Sequence, residues 1–179
     1  YFHFTVTGYH RALETHNPPL EVSLRRMRER ADLAGPEAVT WRYDPIVLSS
    51  VTPPEYHLER FAGIAGAIEG ATRRAYFSFV SNYGKTRKNS EQVTREHGVT
   101  FTDPSPEEKR ELALRLRDLA AKHGMTLHAC CEDALVGDGI EQGHCVDIDR
   151  VRELRSDAGE MGGHLKRRPT REGCGCTES

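Results

Sequence analysis

The sequence predicts an α/β fold, a partial (β/α) barrel with parallel strands that is similar to part of a TIM barrel. Four short segments rich in β-branched and aromatic residues alternate along the chain with longer segments of helical periodicity. Successive strands begin roughly 35 to 50 residues apart, which leaves room for one helical crossover between parallel neighbours. Polar residues follow the strands directly, at the edge of the sheet where (β/α) barrels carry their chemistry.

The first half of the chain contains three predicted strands, at residues 2–7, 39–43 and 75–80, and two predicted helices. The first helix follows two prolines and places four apolar residues on one face: Leu20, Leu24, Met27 and Ala31. The second is predicted to begin with Thr52 as N-cap and Pro53 in the first helical position, and Glu55 would complete a capping box. Its predicted buried stripe comprises Leu58, Phe61, Ala65 and Ile68.

The second half contains the clearest predicted helix, at residues 106–123, with Ser105 as N-cap and Gly124 at its end. The apolar face of this helix comprises Leu112, Leu116, Leu119 and Ala120. A fourth strand at 125–129 leads into a cysteine pair, whereas the polar residues 81–97 predict a long loop with some helix. A Gly-rich stretch at 136–143 and a short helix at 147–154 follow. We therefore predict a barrel domain at residues 1–155 and an irregular, cysteine-containing tail at 156–179.

The composition is typical of a chain that buries one hydrophobic core, with 179 residues, 37% apolar and 29% charged. The net charge of -2 gives no electrostatic support for binding nucleic acid, and no apolar run is long enough to cross a membrane. We therefore expect a cytoplasmic protein without a membrane partner. Five cysteines, an odd number that includes an adjacent pair, do not suit a secreted disulfide framework, so we expect reduced thiols.

The placement of the cysteines is the strongest functional signal. Cys130 and Cys131 are adjacent, Cys145 follows the pair, and Cys174 and Cys176 form a Cys-Gly-Cys near the end of the chain. The fourth strand would deliver the pair to the active edge of the sheet, and the tail could fold back over it. Four of these thiolates could hold an iron-sulfur cluster or a structural zinc ion. Because no Cys-x-x-Cys motif is present, a metal-free buried cysteine and a redox disulfide remain as alternatives.

Polar residues at the predicted strand ends are candidates for binding a cofactor or substrate, and they comprise Thr7, Arg42, Asp44, Asn82, Tyr83 and Lys85. Arg42 and Asp44 could orient an anionic group, which the guanidinium would hold by a two-pronged hydrogen bond. The alternative is a local ion pair followed by an Asp-Pro turn. The three residues after the third strand could donate hydrogen bonds or a proton, or could lie in a solvated loop. His144 could replace one thiolate ligand.

Several segments together resemble an uncharacterised bacterial family, a domain of unknown function (DUF1848). They are residues 4–9 (FTVTGY), 41–46 (WRYDPI), 78–80 with Tyr83 and Lys85, and 171–179 (REGCGCTES). The resemblance covers nearly the whole chain and implies a protein similar to radical S-adenosylmethionine enzymes. It implies further sequence before Tyr1 and a cysteine cluster just beyond Ser179, so that this chain is expected to be truncated at both ends. Such a cluster needs three closely spaced thiolates.

The function implied by the resemblance is reductive cleavage of S-adenosylmethionine by a [4Fe-4S] cluster, with an unidentified substrate and a reductant protein as partner. Composition and spacing alone predict only a parallel α/β fold with a thiol site. The alternative is a zinc-stabilised β/α module that binds a small molecule or a protein without radical chemistry. A metal-dependent hydrolase is disfavoured, because the strand ends lack the His and carboxylate pairs that activate a water molecule.

Overall fold

A computed structural model of the chain describes residues 1–11, 13–14, 17–80 and 84–154, with the backbone alone at 84–87 and 148–149. The strands within these residues are β1 (Phe2–Thr5), β2 (Val39–Ile46), β3 (Arg74–Phe79), β4 (Thr126–Cys130) and β5 (Ile140–Gly143). The α-helices are α1 (Leu20–Ala34), α2 (Pro54–Ala67), α3 (Gly84–His97), α4 (Pro106–Lys122) and α5 (Ile148–Leu154). The predicted tail at 156–179 lies outside the described residues.

The strands form one open sheet in the order β1-β2-β3-β4-β5, and all neighbouring strands are parallel. The predicted α/β class with parallel strands is confirmed. Because each strand pairs with the next one along the chain, the order is that of a continuous segment of a (β/α) barrel.

The strand β5 was not predicted, since its sequence is short and Gly-rich and its pairing with β4 is a tertiary contact. Its last residue pairs with Cys130, and the close approach of the two backbones requires a glycine there. A Cβ atom at Gly143 would lie 3.0 Å from the carbonyl oxygen of Ala129.

Three helices pack on one face of the sheet and bury the hydrophobic core. The contributing residues include Met27 and Ala31 from α1, Phe61, Ile64 and Ala65 from α2, and Leu112, Leu116 and Ala120 from α4. They meet one side of the strands, which supplies Val39, Trp41, Tyr43, Ala75, Phe77, Phe79, Leu127 and Ala129. We call this side the core face. The apolar faces predicted for the three helices are therefore confirmed.

The helix starts agree with the sequence in one case and differ in the other. Ser105 accepts a hydrogen bond from the Glu108 N–H at 3.2 Å, and the Glu108 side chain accepts one from the Ser105 N–H at 2.7 Å. This capping box confirms the predicted start of α4. The predicted capping box of α2 was wrong, because the Thr52 hydroxyl instead donates to the Val47 carbonyl at 2.6 Å and Pro53 occupies the N-cap.

Two boundaries also differ from the sequence prediction. Residues 84–97 form the continuous helix α3, whereas the sequence predicted a long loop with some helix. The helix is largely exposed and has few apolar residues, so its sequence shows little helical periodicity. Strand β2 continues through the cis Asp44-Pro45 bond to Ile46, whereas the prediction ended it at Tyr43. Asp44 therefore lies within the strand.

Candidate functional site

The side of the sheet opposite the helices is polar, because side chains alternate between the two faces of each strand. The β2, β3 and β4 residues that alternate with the core residues are Thr40, Arg42, Asp44, Arg74, Tyr76, Ser78, Thr126, His128 and Cys130. We call this side the polar face. In a (β/α) barrel the corresponding face points into the barrel, and its carboxyl-terminal edge forms the active site.

The chain after β5 packs against the polar face and buries part of it. The Tyr1 hydroxyl donates to the Cys145 carbonyl at 3.2 Å and accepts from the Asp147 N–H at 2.7 Å. Arg150 donates to the carbonyl and carboxylate of Glu37, which lies just before β2. Only 2% of Tyr76 and 2% of His128 remains exposed beneath this segment. The amino-terminal half of the polar face is thus closed, and Cys145 is held against it.

Three thiols meet at the carboxyl-terminal end of β4. The Cys130 sulfur lies 3.4 Å from the Cys145 sulfur and 3.9 Å from the Cys131 sulfur. In a continued strand Cys131 would point to the core face, but its left-handed backbone, with φ of 59°, turns it back beside Cys130. Hydrogen bonding to Cys145 and burial raise the pKa of Cys130. The structure therefore brings together three of the five predicted ligands, and Cys174 and Cys176 lie outside the described residues.

The thiol cluster suits a soft metal in its donor type but is not assembled as a complete ligand set. Two thiolates bound at about 2.3 Å to one tetrahedral ion lie about 3.8 Å apart, close to the separation of Cys130 and Cys131. Across the described ranges, however, no group of three or more His, Cys, Asp or Glu side chains is arranged to hold a metal ion. A metal would need a movement of these side chains or a further ligand.

An ionic hydrogen-bond network adjoins the thiols. The Asp44 carboxylate accepts from the Arg42 guanidinium and from the Ser78 hydroxyl, which links β2 to β3. Burial opposes the charge on Arg42, but the Asp44 carboxylate and the nearby Cys145 and Cys130 thiols raise its pKa. Arg42 and Asp44 thus form the local ion pair that the sequence left as one alternative, and the pair lies within electrostatic reach of the thiols.

The other predicted binding residues do not join this network. The Thr7 hydroxyl donates to both carboxylate oxygens of Glu14, at 2.8 and 2.7 Å, and is buried. Asn82 and Tyr83 lie outside the described residues, as does the side chain of Lys85.

A cavity of about 870 Å³ lies between helix α3 and the strand ends, and Tyr9 and Val80 line it on the side of the strand ends. Its size suits a small molecule, and none of the three described cysteines lines it.

Buried nitrogen atoms without a hydrogen-bond partner gather on the polar face or against it. In the described part of the chain they include both ring nitrogens of His3, Nε2 of His128, Nδ1 of His144 and Nε of Arg42. A buried polar atom without a partner costs about 1–3 kcal/mol, so such atoms are usually satisfied by ordered water or a ligand. This pattern favours the binding of water or a polar ligand at the face.

Sequence reasoning missed Ser78 and gave no role to His128. Both lie in strands where polar and apolar residues alternate, as in the segment Arg74-Ala-Tyr-Phe-Ser-Phe79. The alternation was a usable signal, since every second residue of a strand shares one face. Glu132, two residues after β4, accepts from the Phe79 N–H at 3.2 Å and ties the ends of β3 and β4 together.

Comparison with known protein families gives a match that covers the whole chain. The family model described as domain of unknown function (DUF1848) matches residues 1–179, and the chain belongs to that family. No curated protein and no solved structure shows significant similarity to it. Among the described helices, none is long and apolar enough to cross a membrane.

Proposed function

We propose that this chain is the barrel portion of an iron-sulfur enzyme similar to the radical S-adenosylmethionine class. In this proposal Cys130, Cys131 and Cys145 are ligands of an auxiliary cluster. Arg42 and Asp44 bind the polar end of S-adenosylmethionine or of the substrate. The observation that carries the proposal is the meeting of three thiols, with the Cys131 and Cys145 sulfurs within 4 Å of the Cys130 sulfur, next to a part-buried ion pair at the carboxyl-terminal edge of a parallel sheet.

The residues of the chain have separate roles in this proposal. Arg42 supplies the positive charge, and its Nε–H, which is buried and has no hydrogen-bond partner among the described residues, is available to a bound carboxylate. Asp44 and Ser78 hold the guanidinium in place through the network that joins β2 to β3. An iron-sulfur cluster, when bound, supplies or relays single electrons. The packed segment after β5 keeps bulk water from the inner part of the polar face.

The test is anaerobic purification of the 179-residue chain followed by analysis for iron, acid-labile sulfide and zinc. We expect iron and sulfide in comparable amounts. The double variant Cys131→Ser, Cys145→Ser should lose both, whereas Ser90→Ala, remote from the cluster on α3, should retain them. A protein that contains no metal after reconstitution, and whose five cysteines all react with a thiol reagent, would contradict the proposal.

A zinc-stabilised binding module is the second candidate function. The 3.9 Å separation of the Cys130 and Cys131 sulfurs favours it, because this is close to the spacing of two thiolates on one tetrahedral zinc ion. Zinc without acid-labile sulfide in the same analysis would support the module, and its removal by a chelator should then lower the melting temperature.

A further inference from the structure

We propose that Cys130 and Cys145 form a reversible disulfide, so that the thiol cluster is also a site of oxidative modification. Both residues are thiols in the described structure, and their sulfur atoms are 3.4 Å apart. Bond formation requires a further approach of about 1.4 Å, to reach an S–S length near 2.05 Å, which small side-chain rotations can supply.

The geometry selects Cys145 rather than Cys131 as the partner of Cys130. Disulfides usually join residues whose Cα atoms are about 4.4–6.8 Å apart, whereas adjacent residues are held about 3.8 Å apart by the trans peptide bond. Cys131 is therefore outside the favourable range although its sulfur is only 3.9 Å away. Cys145 comes from a neighbouring part of the fold, two residues beyond the Gly143 that pairs with Cys130.

The backbone already holds Cys145 in position for the reaction. Its carbonyl accepts from the Tyr1 hydroxyl at 3.2 Å, and this hydroxyl accepts in turn from the Asp147 N–H at 2.7 Å. Strand pairing between β4 and β5 fixes the other side. Because the backbone on both sides of Cys145 is already held, forming the disulfide would restrict little further backbone.

The reaction is an exchange with a small-molecule disulfide such as oxidised glutathione. The thiolate of Cys145, which is partly exposed, attacks one sulfur of the small disulfide, forms a mixed disulfide and releases one thiolate. The thiolate of the buried Cys130 then attacks the Cys145 sulfur and releases the second. Two electrons pass to the small disulfide, and the two protons lost by the cysteines end on the two thiols released.

Oxidation would remove two of the three clustered ligands at once, so the bond would regulate metal loading. This regulatory consequence rests on the proposed function, whereas the bond itself does not. The two are distinguished by treating the metal-free and the metal-loaded full chain separately.

The experiment uses the reduced, metal-free 179-residue chain and oxidised glutathione in the absence of oxygen. Remaining thiols are alkylated, and the protein is cut after glutamate, since cleavage after Glu132 and Glu141 separates Cys145 from the other two cysteines. We expect a linked pair of fragments that carries one alkyl group, on Cys131, and whose mass is about 2 Da below the sum of the two reduced fragments and that group.

Two variants decide the assignment without altering the buried Cys130. Cys131→Ser should retain the linked pair, and Cys145→Ser should lose it. Persistent glutathione on Cys145, a bond within the fragment that contains Cys130 and Cys131, or a link from Cys145 to Cys174 or Cys176 would overturn the inference. In the metal-loaded chain the link should form more slowly. An unchanged rate there would count against the metal ligands and leave the disulfide assignment intact.

Discussion

The two faces of the sheet are built from the same strands but are stabilised in different ways. On the core face, Trp41, Tyr43 and Phe77 are completely buried against helices. On the polar face, the residues between them form an ion pair, hydrogen bonds and a thiol cluster. The core face gains free energy from burying apolar area. On the polar face, each buried polar atom needs a hydrogen-bond partner to offset its desolvation, and several nitrogens have none within the part of the chain that the structure describes.

This difference indicates where function resides in the chain. A face that leaves buried donors and acceptors without partners is less stable than an apolar one of the same shape, and such local costs are typical of binding sites. We therefore expect the core face to account for most of the stability of the fold, and the polar face to carry the proposed function. Four predictions test this division.

Removing a large core side chain should have the largest effect. Phe61 on α2 is completely buried and packs against Trp41, with ring centroids 4.5 Å apart. We expect Phe61→Ala to lower the free energy of unfolding by about 3–5 kcal/mol, through lost apolar burial and the cavity left behind. Urea denaturation measures this. Leu33→Ala, at a position on α1 that is 80% exposed, is the control and should stay within about 0.5 kcal/mol of wild type.

Lowering the pH should decrease the free energy of unfolding through His57. This side chain is completely buried on the core face, between the Tyr43 hydroxyl and the Val47 carbonyl. Burial lowers its pKa to about 4, below the unfolded value of 6.5. The unfolded chain therefore takes up the proton first, and stability present above pH 6.5 is lost as the pH falls towards 4, by about 3 kcal/mol.

Urea denaturation at pH 5 and pH 7.5 checks this sign. His57→Gln, which cannot titrate, should make the free energy of unfolding less dependent on pH in this range. The control is His97→Gln at the exposed end of α3, which should keep the wild-type dependence. An equal slope in wild type and His57→Gln would show that His57 does not control the acid sensitivity.

On the polar face, Asp44→Asn should have a smaller effect than the core truncation. The substitution keeps the shape of the side chain but removes the negative charge to which Arg42 and Ser78 donate. It leaves the part-buried Arg42 guanidinium without its counterion. We expect a loss of about 1–3 kcal/mol in thermal or urea unfolding. Ser78→Ala removes one donor only and should cost about 0.5–1.5 kcal/mol. A loss from Asp44→Asn as large as that from Phe61→Ala would break the proposed division between the faces.

Arg42→Lys should have the smallest effect on stability and a clear effect on binding. Lysine keeps the charge beside Asp44 but lacks the planar fork that holds a carboxylate by two hydrogen bonds. We expect less than about 1 kcal/mol of destabilisation and a roughly tenfold loss of affinity for S-adenosylmethionine, measured by calorimetry. Unchanged affinity together with a loss of stability would identify Arg42 and Asp44 as a purely structural pair.

Much of the fold could be predicted because its signals are local. The apolar stripes of α1, α2 and α4 repeat at short sequence intervals, the N-cap Ser105 directly precedes its helix, and the structure confirms both. The predictions that failed depended on partners outside the predicted element. Thr52 gave its hydroxyl to Val47 rather than to the helix, and the Gly-rich segment of β5 became a strand by pairing with β4. Neither contact can be predicted from the residues of the element alone.

The candidate site shows the same limit. Arg42, Cys130 and Cys131 were recognisable from residue type and position at predicted strand ends, and Cys145 from its residue type and its place in the chain after the cysteine pair. Their mutual distances were not, since the left-handed turn at Cys131 and the path of the chain after β5 bring the sulfurs together. The metal ligands assigned to Cys174 and Cys176, and the contacts of Asn82, Tyr83 and Lys85, stay predictions.

By itself, the sequence determined the parallel α/β class, the helix faces and the residue types available for chemistry, because hydrophobic periodicity and capping act over a few neighbouring residues. Only the tertiary structure decided which polar residues meet. The reason is physical: strand register and the return of the chain across the polar face join separate parts of the sequence, and the hydrogen bonds of Tyr1 join residues more than a hundred positions apart. The free energy of these contacts depends on distances between side chains, and a pattern of neighbouring residues does not determine those distances.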